Sequence, residues 1–214
     1  MNRREFSTCL TGAGLGLAAA GSVRAQGAPV EGQQYVRLAS PAPVTLPSPD
    51  KKVDVVEFFW YGCPHCNVVE PMLDTWSKRL APDVSFRKVH VGFGQIHQVH
   101  QRLYYALEDM GLLPTMHKKV FAAMHVQNRR LATEADMSAF MKENGVDPAK
   151  FLETYKSFGV NTKATRARQL TDAYKIDGVP AMGVQGRYYT SGALTGTHER
   201  MLQVVDFLIQ RSRG

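Results

Sequence analysis

Cysteine is scarce in this sequence, with three among 214 residues. So few exclude a disulfide-stapled scaffold, the solution of small secreted domains whose cores are thin. Long hydrophobic runs are missing too. No stretch reaches 18 uninterrupted apolar residues, which argues against a transmembrane helix. The 18 glycines and 11 prolines are not in excess, so collagen-like and low-complexity readings fail. Charge of one sign is not concentrated. The net charge is +7, but basic residues are spread along the chain in runs no longer than pairs such as Lys51-Lys52. A nucleic-acid face needs clustered charge, so no nucleic-acid partner is expected. What remains describes an ordinary soluble chain, with 44% hydrophobic and 21% charged residues and a mean hydropathy of −0.25. That is enough apolar surface to offset chain entropy, at a length that suits one domain or two small ones.

Residues 1–25 have the three parts of an export signal. Arg3-Arg4 form a charged start, Cys9 to Ala20 a modestly apolar core, and Val23-Arg24-Ala25 a small-x-small cleavage site. The mature chain is expected to begin at Gln26. A structural helix here is disfavoured, because Gly12, Gly14 and Gly16 would each cost about 1 kcal/mol relative to alanine. Asn2-Arg3-Arg4-Glu5-Phe6 resembles the twin-arginine export signal. Ser7 and Thr8 depart from the residues usual after that phenylalanine, so the general export route stays open. Cys9 precedes most of the apolar core, the wrong place for a lipid anchor. Export then leaves two cysteines, Cys63 and Cys66.

Residues 26–50 are rich in Pro, Gly and Ser, with one short strand expected at 34–38. Val53-Asp54-Val55-Val56-Glu57-Phe58-Phe59 has the pattern of a strand buried on both faces, with Asp54 and Glu57 as exceptions. Pro64 suits the first position of a helix. Val69, Met72, Leu73, Trp76 and Leu80 give that helix an apolar face, and Pro71 inside it predicts a kink. A second strand is expected over 84–91. From His97 to about Gln169 the spacing turns helical, in five segments. Thr133 and Asp147 begin the third and fourth of these, and Asn161 is expected to cap the fifth. After Gly178-Val179-Pro180 come two strands, 181–184 and 188–191, joined by a Gln185-Gly186 turn. An amphipathic helix over 198–210 ends the chain. The order is βαβ, a helical block, then ββα. It implies an α/β domain split by a helical insertion, with bounds of 26–95, 96–165 and 166–214.

Cys63-Pro64-His65-Cys66 at a helix start beside βαβ reads as a dithiol redox site. Two intervening residues in the first turn bring the sulfurs within bonding reach. Cys63 would feel the unpaired N–H groups and the positive end of the helix dipole, which favour its thiolate. Cys66, one turn inside, is expected to lie deeper. Cys63 is then both the attacking thiolate and the sulfur attacked, and Cys66 closes the ring. His65 is expected to give the Cys63 thiolate a hydrogen bond or a positive charge; the alternative is a solvated loop histidine. Stabilising the thiolate stabilises the reduced form and makes the disulfide a stronger oxidant. One pKa unit is about 1.36 kcal/mol, or roughly 30 mV for a two-electron couple. C-x-x-C also occurs in zinc sites. His97 and His100 would complete a set of two Cys and two His, but the gap is longer than in compact fingers, so a zinc module is the remote alternative. His90, His117, His125 and His198 show no mutual spacing that suggests a site.

Glu57-Phe58-Phe59-Trp60-Tyr61-Gly62-Cys63-Pro64-His65-Cys66 resembles the active-site segment of the DsbA family of bacterial periplasmic thiol oxidases. Gly178-Val179-Pro180-Ala181-Met182-Gly183-Val184-Gln185-Gly186 resembles that family's cis-proline loop and hairpin, and Gly32-Gln33-Gln34-Tyr35 is also similar. The resemblance covers essentially the whole mature chain, helical insertion included. It implies a thioredoxin-like fold with an inserted helical domain, Cys63 as nucleophile and Pro180 in cis. It also implies Glu57 as a buried acid beneath the disulfide, with Lys88 as its partner. Pro71 departs from the family pattern. Further implications are a periplasmic location, exported proteins with free thiols as substrates, and a membrane-bound, quinone-linked reoxidase of DsbB type. No cofactor is expected beyond the Cys63–Cys66 disulfide. Backbone around Val179 is expected to pair with extended substrate peptide as an edge strand would. A reductase or isomerase is the rival within enzymes. Those isomerases usually carry a separate dimerisation domain, for which residues 26–50 are too short, and a monomer is expected.

Overall fold

The computed structural model describes residues 27–213. The expected export signal, with Cys9, the Ala25 cleavage site and the start at Gln26, lies outside the described residues.

The strand β2 (Val53–Phe59) is buried at every position, as its β-branched and aromatic run demands. It pairs in parallel with β3 (Val84–His90) through the crossover helix α1 (Pro64–Ser77). Pro71 lies inside α1, which runs on to Ser77. On its other side β2 pairs antiparallel with β4 (Ala181–Val184). The sheet continues through β5 (Tyr188–Ser191) to the short β1 (Val36–Arg37), in the order β1-β5-β4-β2-β3. Gln185 and Gly186 make the β4–β5 turn with φ of 52° and 62°, the paired left-handed residues of a tight hairpin.

Between β3 and β4 stand five helices: α2 (Gln95–Asp109), α3 (Leu113–His125), α4 (Glu134–Glu143), α5 (Pro148–Lys156) and α6 (Phe158–Ala173). Thr133 opens α4 with a reciprocal capping box to Asp136, and Asp147 caps α5, as their sequences indicate. The fifth start is a correction. Ser157 caps α6 by accepting from the Val160 amide, while the Asn161 side chain donates to the Ser157 carbonyl from inside the first turn. The boundary drawn at 165 therefore falls within a continuous helix, and the helical block extends to Ala173. After β5 comes a single turn, α7 (Gly192–Thr195), too short to show a period. The last helix, α8 (His198–Arg213), runs three residues past its expected end.

Both faces of the sheet are covered. On one, Val53 and Val55 pack with Val69, Leu73 and Trp76 of α1 and with Met201 and Val205 of α8. On the other, Val56 and Phe58 join a cluster that continues through Leu103, Leu170 and Tyr174 into the helical block. The architecture is α/β, a thioredoxin-like sheet with helices inserted between its halves.

Candidate active site

The chain leaves β2 through Trp60-Tyr61-Gly62. A Cβ on Gly62 would run into the Trp60 ring, so the ring keeps its place here only beside glycine. The turn delivers Cys63 to the N-cap of α1, with Pro64 at the start of the helix, where its missing N–H is no loss. No side-chain oxygen caps this helix, and the Cys63 sulfur stands where one would. Cys66 is fully buried, while Cys63 keeps 7% of its surface. Both are free thiols.

The two sulfurs have opposite surroundings. Cys63 is held at about 6, well below an ordinary thiol. The hydrogen bond from the Cys66 thiol contributes most. Burial opposes it, the backbone N–H groups of Cys66 and His65 add to it, and the charge of His65 comes last. Burial pushes Cys66 far the other way, reinforced by Cys63 and, more weakly, by Glu57. One sulfur is thus available as thiolate, while the other needs a proton whenever its bond breaks.

Beneath them the parallel register sets Glu57 opposite Lys88. The Lys88 ammonium donates to Glu57 Oε2 at 2.5 Å and to Glu70 Oε2 at 2.8 Å. Glu57 is fully buried, and its Oε1 has no hydrogen-bond partner among the described residues. Burial raises its proton affinity; Lys88 opposes this and the charge of Glu70 adds to it. Burial also resists ionisation of Glu70, yet the His117 and Lys88 contacts hold that carboxyl at about 2. One ammonium therefore serves two acids, one ionised and one inclined to keep its proton.

Across the rim, the Cys63 thiol donates to the Val179 carbonyl at 3.5 Å, and the Val179–Pro180 peptide is cis. A groove of about 510 Å³ runs from His65 past Val179 and Pro180 to Ser191 and His198.

The DSBA-like thioredoxin domain, as a family model, matches residues 54–204. The thiol:disulfide interchange protein DsbA of Azotobacter vinelandii is 42% identical over 183 residues, covering 86% of this chain and 84% of that protein. This chain belongs to the DsbA family. The DsbA of Bordetella pertussis is 40% identical over 216 residues and the match covers all of both chains. Among solved structures, Pseudomonas aeruginosa DsbA superposes with a TM-score of 0.81 at 41% identity, covering 86% of this chain and 95% of that one. The DsbA of Xylella fastidiosa gives 0.78 at 30% identity, with 86% and 98% covered.

The structure brings Cys63, Pro64, His65, Cys66, Val179 and Pro180 together at the start of α1, with Glu57 and Lys88 on the strands beneath. His65 is exposed, with its ring 6.1 Å from that of His198, and its charge adds less to the low Cys63 thiol than the Cys66 hydrogen bond and the backbone N–H groups do. His97 and His100 do not join the cysteines. The Trp60 ring lies 4.2 Å from that of His97, and its indole N–H donates to His100 Nδ1 at 3.0 Å. No group of three metal-ligating side chains forms among the described residues. Glu70, His117 and Tyr61 also belong to the site, though no motif singles them out in the sequence. Glu70 follows Cys66 by four residues on the buried stripe of α1, and His117 lies on the stripe of Val120 and Phe121. A polar residue on an apolar stripe was the available signal.

Proposed function

We propose that this thiol:disulfide oxidoreductase is an oxidase that donates its Cys63–Cys66 disulfide to exported proteins in the periplasm. A substrate thiolate attacks the Cys63 sulfur, the Cys63–Cys66 bond breaks, and Cys66 leaves with the electron pair and takes a proton from Glu57. A second substrate thiolate attacks the substrate sulfur of the mixed disulfide. Cys63 leaves as a thiolate, and the substrate has lost two electrons to the enzyme. A membrane-bound, quinone-linked reoxidase of DsbB type accepts those electrons from the dithiol. The redox disulfide needs no further cofactor, and the protein works as a monomer. Extended substrate pairs with backbone at Val179 beside Pro180, so main-chain bonds give a broad range of clients.

The observation that carries this reading is the seat of Cys63 at the N-cap of α1, where the Cys66 thiol and the backbone N–H groups of Cys66 and His65 favour its thiolate; a stabilised thiolate stabilises the reduced form and drives electrons toward the enzyme. The test is the equilibrium of the Cys63–Cys66 pair with glutathione. An oxidase gives a pair that glutathione reduces readily; a pair that stays oxidised in excess glutathione would make the protein no donor of disulfides.

A further inference from the structure

Behind Glu57 the buried polar chain continues into side chains that the thiol exchange does not touch. His117, on α3, is 8% exposed. Its Nε2 lies 3.2 Å from Glu70 Oε1, and its Nδ1 lies 2.8 Å from the Tyr61 hydroxyl. The other Glu70 oxygen takes Lys88, and Lys88 reaches Glu57. A line of contacts therefore runs from Tyr61 through His117, Glu70 and Lys88 to Glu57, whose bare Oε1 ends it. The Tyr61 O–H, kept protonated by burial, is placed to donate to Nδ1, which leaves the imidazole proton on Nε2; that atom faces Glu70 Oε1 at ion-pair distance, outside hydrogen-bond geometry.

We propose that His117 is a positioning residue for the thiol chemistry. By turning Nε2 toward Glu70 at 3.2 Å it favours the ionised form of that carboxylate beside Lys88, and so leaves Glu57 as the acid that holds and releases a proton to Cys66. The inference rests on the proton-donor role proposed for Glu57 above.

The physical reason is a shortage of positive charge. Lys88 stands between two buried carboxyls, and ionising both would leave an uncompensated charge. The carboxyl faced by more N–H groups ionises first. Among the described residues, nothing else facing His117 competes for that task. His90, from β3, is kept neutral by burial, and Tyr104, from α2, has its ring 6.1 Å away and holds its proton for the same reason. The rings of Phe59 and Phe121 lie 5.4 and 5.3 Å from the imidazole. Without the His117 contact, Glu70 ionises less readily and Lys88 turns to Glu57. Glu57 then gives up its proton at lower pH.

The readout is single-turnover oxidation of a model dithiol by the oxidised protein across pH, corrected for the dithiol's own thiolate fraction. In the first step the substrate–Cys63 bond forms, the Cys63–Cys66 bond breaks and Cys66 accepts the Glu57 proton. The corrected rate should fall on the alkaline side as the cluster loses that proton, a midpoint that belongs to the coupled groups together. His117→Leu should move this limb down by about half a pH unit, His117→Gln should restore part of the shift, and Tyr61→Phe should move it the same way by less. The Cys63 thiolate titration should stay where it is in all three. A limb that vanishes in Glu57→Gln but stays put, or rises, in both His117→Leu and Tyr61→Phe overturns this inference alone. If His117→Leu does not fold, Tyr61→Phe decides by the same criterion. A limb that survives Glu57→Gln overturns the proton-donor role and this inference with it.

Discussion

The strand β2 buries two acids three residues apart, Asp54 and Glu57, which the pleat turns to opposite faces of the sheet. Asp54 has both oxygens held by Arg87, each at 3.0 Å, and Arg87 keeps 30% of its side chain in solvent. Glu57 has one oxygen on Lys88 and one with no partner among the described residues, and it shares that lysine with Glu70. The first arrangement satisfies a carboxylate completely. The second leaves a carboxyl short of donors under a sulfur that must be protonated. Burial of an acid therefore says little about its role; the count of donors around it says more.

Removing each acid in turn should separate the two roles most sharply. Asp54→Asn strips Arg87 of its charged partner, and a loss of about 3 kcal/mol in a urea melt is expected, with dithiol oxidation rates preserved. Glu57→Gln replaces a carboxyl that already tends to be protonated, so its stability should stay within about 1 kcal/mol of the parent. Its rate for the step that releases Cys66 should fall by at least about tenfold. If Asp54→Asn lost activity, or Glu57→Gln lost the larger part of its stability, the contrast would collapse.

A smaller effect concerns the two oxidation states. The Cys63 thiol is depressed in the folded dithiol form, so it contributes stability that is fully present above the unfolded thiol value and is lost as pH falls through about 6. Cys66, raised by burial, is protonated in both folded and unfolded chains across that window and adds nothing there. The stability of the reduced protein relative to the oxidised one should therefore rise by about 1–2 kcal/mol from pH 5 to pH 7.5, set against the pH-independent contribution of the cross-link. Paired urea melts at the two pH values measure it. A margin that does not change with pH would contradict the low thiol.

The smallest effect is expected at His65. Its side chain is exposed and its charge adds less to the low Cys63 thiol than the Cys66 hydrogen bond does, so His65→Ser should raise the Cys63 midpoint by only about 0.3. The pair should become less oxidising by about 10 mV, read against glutathione. A change several times larger would return the leading part to the histidine.

The rim of the site was legible in the sequence because it is local. Pro64 at a helix start, cysteines one turn apart and a buried strand before them all follow from spacing along one segment. The distant cis-proline loop and the pairing of Glu57 with Lys88 came from resemblance to a family, since no periodicity relates residue 57 to residue 88. The underside was not legible. Glu70 and His117 meet only because α1 and α3 lie against each other, and each looks alone like a stray polar residue on an apolar face. The start of α6 was misplaced at Asn161 because asparagine and serine are both good caps, and Ser157, four residues earlier, closes the shorter loop. The turn α7 is too short to leave any pattern.

The central claim is that one turn of helix separates a thiol that ionises readily from one that does not. Alkylation of the reduced protein across pH, with each cysteine followed by peptide mass, tests it directly. Cys63 should react with a midpoint near 6, and Cys66 should stay unmodified through the ordinary thiol range of about 8.5. Labelling of Cys66 ahead of Cys63, or a Cys63 midpoint near 8.5, would contradict the account.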